Sequence, residues 1–323
     1  MANNNALAAQ NANEMRFRDV IQTYKFQNLI KQTLGNPKKV ERYTAAIISA
    51  VNTNAELQKC DALSIISGSL VAESLGLAHS PQLGQYYLVP FKQKEKTFKN
   101  ARGEWETIPE HFVATFVLGY KGYLQLAIRS NCYKHINVME IKEGELVSYN
   151  PFEEEAAFNL TQDVDEREKA PTVGYFAFFE YLNGFKKAIY WSKAQMLAHA
   201  DKYSPAFSVN ATNGKYPKVS YADYEAGNYN KKDEWLYSSY WYKDFDGMAK
   251  KTMLRQLISK WGVMSTEMVQ ALDTDNSVIR IDKGNFAAEI PENENLFDDN
   301  ADAPEDNTEP ETNDPEEVNF DEL

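Results

Sequence analysis

At 323 residues the chain has room for one large domain or two small ones, and 43% hydrophobic with 25% charged residues is an ordinary globular balance. Cys60 and Cys132 make no disulfide framework, and with four scattered histidines they show no metal-ligand spacing. The net charge of −13 misleads, because residues 289–323 hold 15 of the 47 acids and no Lys or Arg; residues 1–288 carry 34 bases against 32 acids, a net of +2. The body is therefore free to carry a basic face.

The polar opening MANNNALAAQNANEM lacks the charged-then-apolar layout of a signal peptide, and no apolar run approaches the ~18 residues of a membrane span. A cytoplasmic protein with no membrane partner is expected. Residues 1–15 read as a disordered Asn/Ala-rich leader. FRDVIQTYKFQNLIKQTL spaces its apolar residues by three and four, which predicts a helix stopped by Gly35-Asn36-Pro37. VERYTAAIISAVNTN predicts a second helix, and DALSIISGSLVAESLGL a third, with Asp61 as N-cap and Gly76 near its end.

The middle of the chain changes character. GQYYLVPF has the aromatic and β-branched content of a strand, and KQKEKTFKNARGEWETI reads as an exposed basic hairpin connection. HFVATFVLGY predicts a second strand and GYLQLAIRSN a helix after it. HINVMEIKEG and ELVSYNPF read as a strand pair turning at Glu143-Gly144. TVGYFAFFEYL and FKKAIYWS predict a hairpin through Asn183-Gly184. SKAQMLAHADKYS predicts a short helix capped by Ser192.

Residues 204–239 are rich in Tyr, Asn and Gly without periodicity, and read as a long loop or insertion. SSYWYKDFDGMAKKTMLRQLISKWG is the clearest helix, with a stripe of Met253, Leu254, Leu257, Ile258 and Trp261 and with Gly262 after its end. Beyond about residue 285 the Asp/Glu/Asn/Pro composition predicts disorder, which sets the body at 16–285 and an acidic tail at 286–323. Neighbouring strands joined by short turns argue for an α+β fold. Its antiparallel sheet and hairpins pack with N-terminal helices and a long C-terminal helix, not as a doubly wound nucleotide fold.

The stretch ATFVLGYKGYLQLAIRSN packs two glycines, two tyrosines and cations into one turn and helix. It is not G-x-x-x-x-G-K-[ST], and no segment supplies that loop or a dinucleotide fingerprint, so ATP hydrolysis has no visible apparatus. Lys121, Gln125 and Arg129 lie four apart and share a helical face. Gly122 allows close approach of a backbone. Tyr120 and Tyr123 either stack on bases or pack in the core. Cations beside aromatic platforms are the physical recipe for holding a single strand, although a solvated amphipathic face explains the same spacing. In the late helix Lys251 and Arg255 are four apart, Ser259 continues their row, and Lys250 lies on the side of the apolar stripe. Trp241 and Tyr242 precede it.

Catalytic constellations are thin. Glu153, Glu154 and Glu155 read as a solvated turn, His199 and Asp201 as plain surface, and both cysteines as inert. Nothing points to the converging carboxylates of a Mg2+-dependent nuclease.

GLAHSPQLGQYYLVPF, ATFVLGYKGYLQLAIRS, VGYFAFFEYLNGFKKAIYWSKAQMLAHADKYS and DFDGMAKKTMLRQLISKWGVMS, in this order, resemble the RecT family of phage single-strand annealing recombinases. The likeness spans roughly residues 20–265, and the GYKGYLQLA block together with the MAKKT…RQLISK helix is specific. The resemblance implies a non-enzymatic, phage- or prophage-encoded protein of the bacterial cytoplasm that binds single-stranded DNA without ATP. It implies assembly into rings or helical filaments and a core like that of eukaryotic annealing recombinases. It also implies a partner exonuclease and the annealed duplex as product. No cofactor is required, and any Mg2+ is associated with bound DNA.

Carried over by residue, the resemblance suggests Lys121 and Arg129 as phosphate contacts with Tyr120 and Tyr123 lining the groove. Gln125 shares the face. The late helix suggests Lys250, Lys251 and Arg255; where the family often has a second basic residue after Arg255, Gln256 stands here. The basic connection at 92–102 offers Lys94, Lys96, Lys99 and Arg102 to close over DNA. The 204–239 insertion looks longer than the family norm. The tail, ending VNFDEL, suits docking of a host single-strand binding protein, competition for the groove, or simple solubilisation. The rival readings are a nucleic-acid-binding module that does not anneal and a phage structural or scaffolding protein.

Overall fold

The structure is a computed structural model. It describes residues 17–99, 103–210, 216–282 and 285–289. The expected leader, Arg102 and residues 290–323 of the expected tail lie outside the described residues.

Helices α1 (Phe17–Ile21), α2 (Tyr24–Leu34) and α3 (Pro37–Asn52) open the fold. Residues 17–34 thus form two helices where the spacing predicts one. Thr23 makes the break: its hydroxyl donates to the Val20 carbonyl at 2.8 Å, and Gln27 Nε2 reaches back to the Ile21 carbonyl at 2.9 Å. Local side-chain bonds here replace the helical ladder. Gly35 closes α2 at φ 65, and the Asn36 side chain accepts from the Lys38 and Lys39 amides to start α3, with Pro37 in its first turn. Helix α4 (Ala62–Ser74) is capped by Asp61, as expected, and residues 64–72 are all buried. A helix apolar on every side must be enclosed. It lies between the N-terminal helices and the sheet.

Strand β1 (Tyr86–Gln93) leads into a hairpin of β2 (Lys96–Lys99) and β3 (Trp105–Ile108), and β4 (His111–Leu118) returns antiparallel to β1. Helix α5 (Tyr120–Arg129) follows directly. Next come β5 (Tyr133–Lys142), β6 (Leu146–Asn150), β7 (Glu155–Phe158) and the short α6 (Val164–Lys169). The hairpin of β8 (Thr172–Tyr181) and β9 (Lys186–Ser192) forms as expected, with Gly184 at φ 86 in its turn.

The expected pairing of residues 135–144 with 145–152 does not form. β5 pairs with β8, giving the order β5-β8-β9, and β6 pairs with β7. The reason is Glu145. Its buried carboxylate accepts from the Lys142 amide (2.8 Å), the Thr161 amide (3.1 Å) and Arg167 Nε (2.7 Å), which turns the chain away from β5.

Helix α7 (Lys193–Tyr203) begins at the Ser192–Gln195 capping box. The described residues of the 204–239 region, 204–210 and 216–239, are packed, contrary to the loop reading. They include α8 (Tyr221–Glu225) and a 3-10 helix, Lys231–Tyr237. Tyr221, Tyr224, Tyr229, Tyr237, Tyr242 and Phe245 form one connected aromatic cluster with ring centroids 4.8–6.3 Å apart. Its order comes from aromatic packing, which has no helical or strand period to read.

Helix α9 (Tyr240–Lys243) stops at Asp244, whose side chain caps α10 (Phe245–Trp261) by accepting from the Gly247 amide. Of the α10 stripe, Met253, Leu254, Leu257 and Ile258 are fully buried. Helix α11 (Thr266–Thr274) and the hairpin of β10 (Val278–Asp282) with β11 (Asn285–Glu289) complete the described chain. The paired chain thus runs to residue 289, past the boundary expected at 285. Among the described residues no helix is long and apolar enough to cross a membrane.

Two stability predictions follow from buried carboxylates. Asp275, buried, accepts from the Leu118 amide (2.8 Å), the Tyr123 hydroxyl, Lys251 Nζ and Arg255 Nη1 (each 3.0 Å). Asp275→Ala would leave two buried cations without it, so urea unfolding should show a loss of about 3–5 kcal/mol; an unchanged midpoint would contradict this. Burial pushes the Glu145 carboxyl up, but Arg167 and the two backbone amides outweigh it and hold it below its ordinary value. A carboxyl depressed in the folded state stabilises above its unfolded pKa of about 4.3 and loses that contribution as pH falls through the folded value. Between pH 6 and 3 the wild type should therefore lose more stability than Glu145→Gln; parallel curves would refute it.

Candidate nucleic-acid interface

The two glycines of GYKGY are explained inside the protein. The chain at Gly84–Gln85 crosses the start of α5, and the Gly119 amide donates to the Gln85 carbonyl at 2.9 Å. A Cβ at Gly119 would collide with the Gly84 carbonyl, and one at Gly122 with the Gln85 carbonyl. The close backbone approach that Gly122 suggests is thus made by the chain itself, not by a ligand. Gly84 needs its own freedom, at φ 61.

This crossing sets the side chains that follow. Lys121, Gln125 and Arg129 share the exposed face of α5, as their spacing predicts. The Arg129 Nη2 also donates to the Leu75 carbonyl at 2.8 Å, at the end of α4, so one edge of this guanidinium is already engaged. Tyr123 is fully buried on Asp275 and does not line a groove. Tyr120 is half-buried, with Lys250 Nζ 5.1 Å and Lys121 Nζ 5.9 Å from its ring centroid. These are cation–π distances. Lys250 also pairs with Glu140 at 3.2 Å. Burial pushes the Glu140 carboxyl up, but a backbone hydrogen bond and Lys250 prevail and hold it low.

Lys251 and Arg255 are buried and face inward to Asp275, with Lys251 also bonding Asn276 Oδ1 at 3.2 Å. The four-residue spacing is real, but its partner is a carboxylate 24 residues after Lys251 and 20 after Arg255. Lys96 and Lys99 are exposed on the β2–β3 hairpin and Lys94 on the link leading into it, and Lys99 sits 5.1 Å from the Trp105 ring. The structure places them there rather than on the α5 face.

Three residues not singled out above complete the cluster around Tyr120. Tyr87 lies 6.1 Å from Tyr240, ring to ring, and Lys243 Nζ is 6.0 Å from the Tyr240 ring. The Tyr87 hydroxyl and the Lys121 stem flank Gly84. Burial, then the nearby Asp244, Tyr240 and Tyr120, raises the Tyr87 phenol above its ordinary pKa. Alternation along a strand would have found Tyr87: in the pair YY, Tyr86 turns in and Tyr87 out. Likewise Trp241 and Tyr242 turn inward, while Tyr240 is 42% exposed. Cys60 is buried, and burial pushes its thiol up to about 12, so it is unreactive. Among the described residues no group of His, Cys, Asp and Glu could hold a metal ion.

Exposed lysines around solvent-facing tyrosines, on an antiparallel sheet flanked by helices, are the features of a DNA-binding α+β protein. The RecT family model matches residues 41–289, from within α3 to the end of β11, and the chain belongs to that family. "Protein RecT" of Escherichia coli (strain K12) is 23% identical over 236 residues, covering 73% of this chain and 71% of that one. "Uncharacterized protein YqaK" of Bacillus subtilis (strain 168) is 36% identical over 251 residues, covering 77% of this chain and 69% of that one. Membership supports DNA binding and single-strand annealing in phage-type recombination. RecT family proteins are annealing proteins rather than enzymes of a catalytic family.

Gly122→Ala tests the origin of the glycines. Its methyl group would press on the Gln85 carbonyl and Leu118, so unfolding experiments should show a loss of about 1–3 kcal/mol in the absence of DNA. Full stability with weakened DNA binding would instead restore the ligand reading.

Proposed function

We propose that the chain anneals complementary DNA strands without ATP, as an oligomeric ring or helical filament. The observation that carries this reading is the cluster of Lys121, Lys243 and Lys250 around the Tyr120 and Tyr240 rings. In it the lysines neutralise phosphates and release counterions, giving affinity without sequence preference. Tyr120, Tyr87 and Tyr240 offer π faces to successive bases. Gln125 and the positive charge of Arg129 would extend the path along α5. Lys94, Lys96, Lys99 and Arg102 would close over the strand. Lys251 and Arg255 act through Asp275, by positioning α10 against α5, rather than by touching DNA.

Annealing on this reading is electrostatic. Two strands repel each other, and a cationic path that leaves base edges exposed lowers the barrier to pairing. No covalent bond changes. The sheet-plus-long-helix core is then the one shared with eukaryotic annealing recombinases. An exonuclease would supply the single strand in the bacterial cytoplasm, and the acidic tail would dock a host single-strand binding protein. Mg2+ would act on the DNA.

Two complementary dye-labelled oligonucleotides, mixed without ATP, should pair faster with the protein and remain intact. Binding without faster pairing would reject annealing. The double variant Lys121→Ala, Lys243→Ala should lower the slope of log affinity against log salt by about 1.4, roughly 0.7 per lost phosphate contact on a single strand. An unaltered slope would remove both lysines from the interface.

A further inference from the structure

A cleft of about 450 Å3 opens beside the tyrosine–lysine cluster. Its walls are the C-terminal end of α3 and the turn after it, with Ala50, Thr53 and Ala55, facing β1 with Tyr86 and Leu88. Tyr87 and Tyr240 stand at its rim and belong equally to the cluster, so the cleft and the phosphate path share an edge. Its volume falls within the roughly 300–1,000 Å3 of sites that enclose small organic ligands.

Several polar groups of the cleft are already engaged with the protein. His79 Nδ1 meets the Tyr86 hydroxyl at 2.5 Å, and its Nε2 meets Glu73 at 3.0 Å. Glu56 pairs with Lys59 at 2.7 Å, and Asn54 Oδ1 accepts from the Glu56 and Leu57 amides. Burial lowers the His79 pKa, with Glu73 acting against it. The walls therefore offer apolar and aromatic surface and few unengaged groups that could distinguish one base from another. A strand whose phosphates lie on Lys121 and Lys243 would pass the rim with its bases within reach of it.

We infer that this cleft receives a nucleobase of the bound single strand, taken out of its stack and laid against the Tyr87 or Tyr240 ring without regard to its identity. The inference rests on the annealing reading. It adds a periodic interruption of base stacking, once per protomer, to a strand otherwise held by its phosphates. Sequence tolerance follows because every base has a π face.

The test compares oligothymidylate with a strand of the same length made of abasic deoxyribose phosphate. Wild-type protein should prefer the base-bearing strand. Filling the cleft by Ala55→Trp, at an exposed position, should reduce that preference at least fivefold and leave affinity for the abasic strand unchanged. Fivefold is about 1 kcal/mol, the lower end of one lost stacking contact. Ala50→Phe fills the cleft from α3 and should act alike should the first variant fail to fold. Photo-cross-linking with a 5-iodouracil strand should label Tyr87 or Tyr240 in wild type and lose that label in the filled variants. Unchanged preference and labelling in folded, filled variants would overturn the cleft alone. Failure of the wild type to bind any single strand would overturn the annealing reading and the cleft with it.

Discussion

The Asp275 carboxylate is the constraint on which the rest of the structure depends. It lies between α11 and β10, yet its four bonds reach the end of β4, the first turns of α5, and two successive turns of α10. A carboxylate is buried at large cost unless it is paired and hydrogen-bonded on every side, and here both oxygens are used. The backbone reinforces the same junction: the Phe116 amide donates to Ser277 and the Asn276 amide to Phe116 (2.9 and 2.8 Å). The consecutive β4 and α5, the distant α10 and the link before β10 thus meet at one charge. The relative placement of α5 and α10 follows, and with it the approach of both Lys121 and Lys250 to the Tyr120 ring.

Two further contacts hold α10 to the β5-β8-β9 sheet. At its start Asp246 accepts from the Tyr175 hydroxyl at 2.6 Å, and at its end the Trp261 carbonyl accepts from Tyr181 at 2.7 Å. The helix is therefore fixed at both ends and in the middle. A side chain such as Lys250, at the edge of its buried face, keeps one direction. The Gly84–Gln85 crossing does the same for α5. Preorganisation of this kind reduces the entropy lost when a flexible strand is bound.

Much of the fold was legible because its signals are local. The Asp61 and Ser192 caps, the Gly35-Asn36-Pro37 break and the Asn183-Gly184 hairpin are each decided within a few residues. The failures come from long-range or single-residue causes. Thr23 divides one apolar pattern into two helices, and buried Glu145 redirects a strand that looked bound for a hairpin. Lys251 and Arg255 illustrate the limit for the site. On a helix, a cationic row at four-residue spacing looks the same whether it faces water, DNA or a buried acid. What decides it is Asp275, and no period connects that residue to the row. The 204–239 region failed for the opposite reason: aromatic packing gives order without periodicity.

The charge around Tyr120 is mixed, and the mixture has a physical consequence. Each nearby acid already has a structural partner: Glu140 with Lys250, Asp244 with the first turn of α10, and Asp246 with Tyr175. Lys250 is thereby held over the Tyr120 ring and partly neutralised, while Lys121 and Lys243 remain exposed. On the proposed reading, a surface with few strong phosphate contacts per protomer would bind one strand moderately and release it readily. Repetition of such a surface along the proposed assembly would multiply the affinity for a long strand without making any single contact slow to break. That combination suits annealing, where mismatched encounters must separate and matched ones extend. A denser cationic path would hold both equally well and discriminate less.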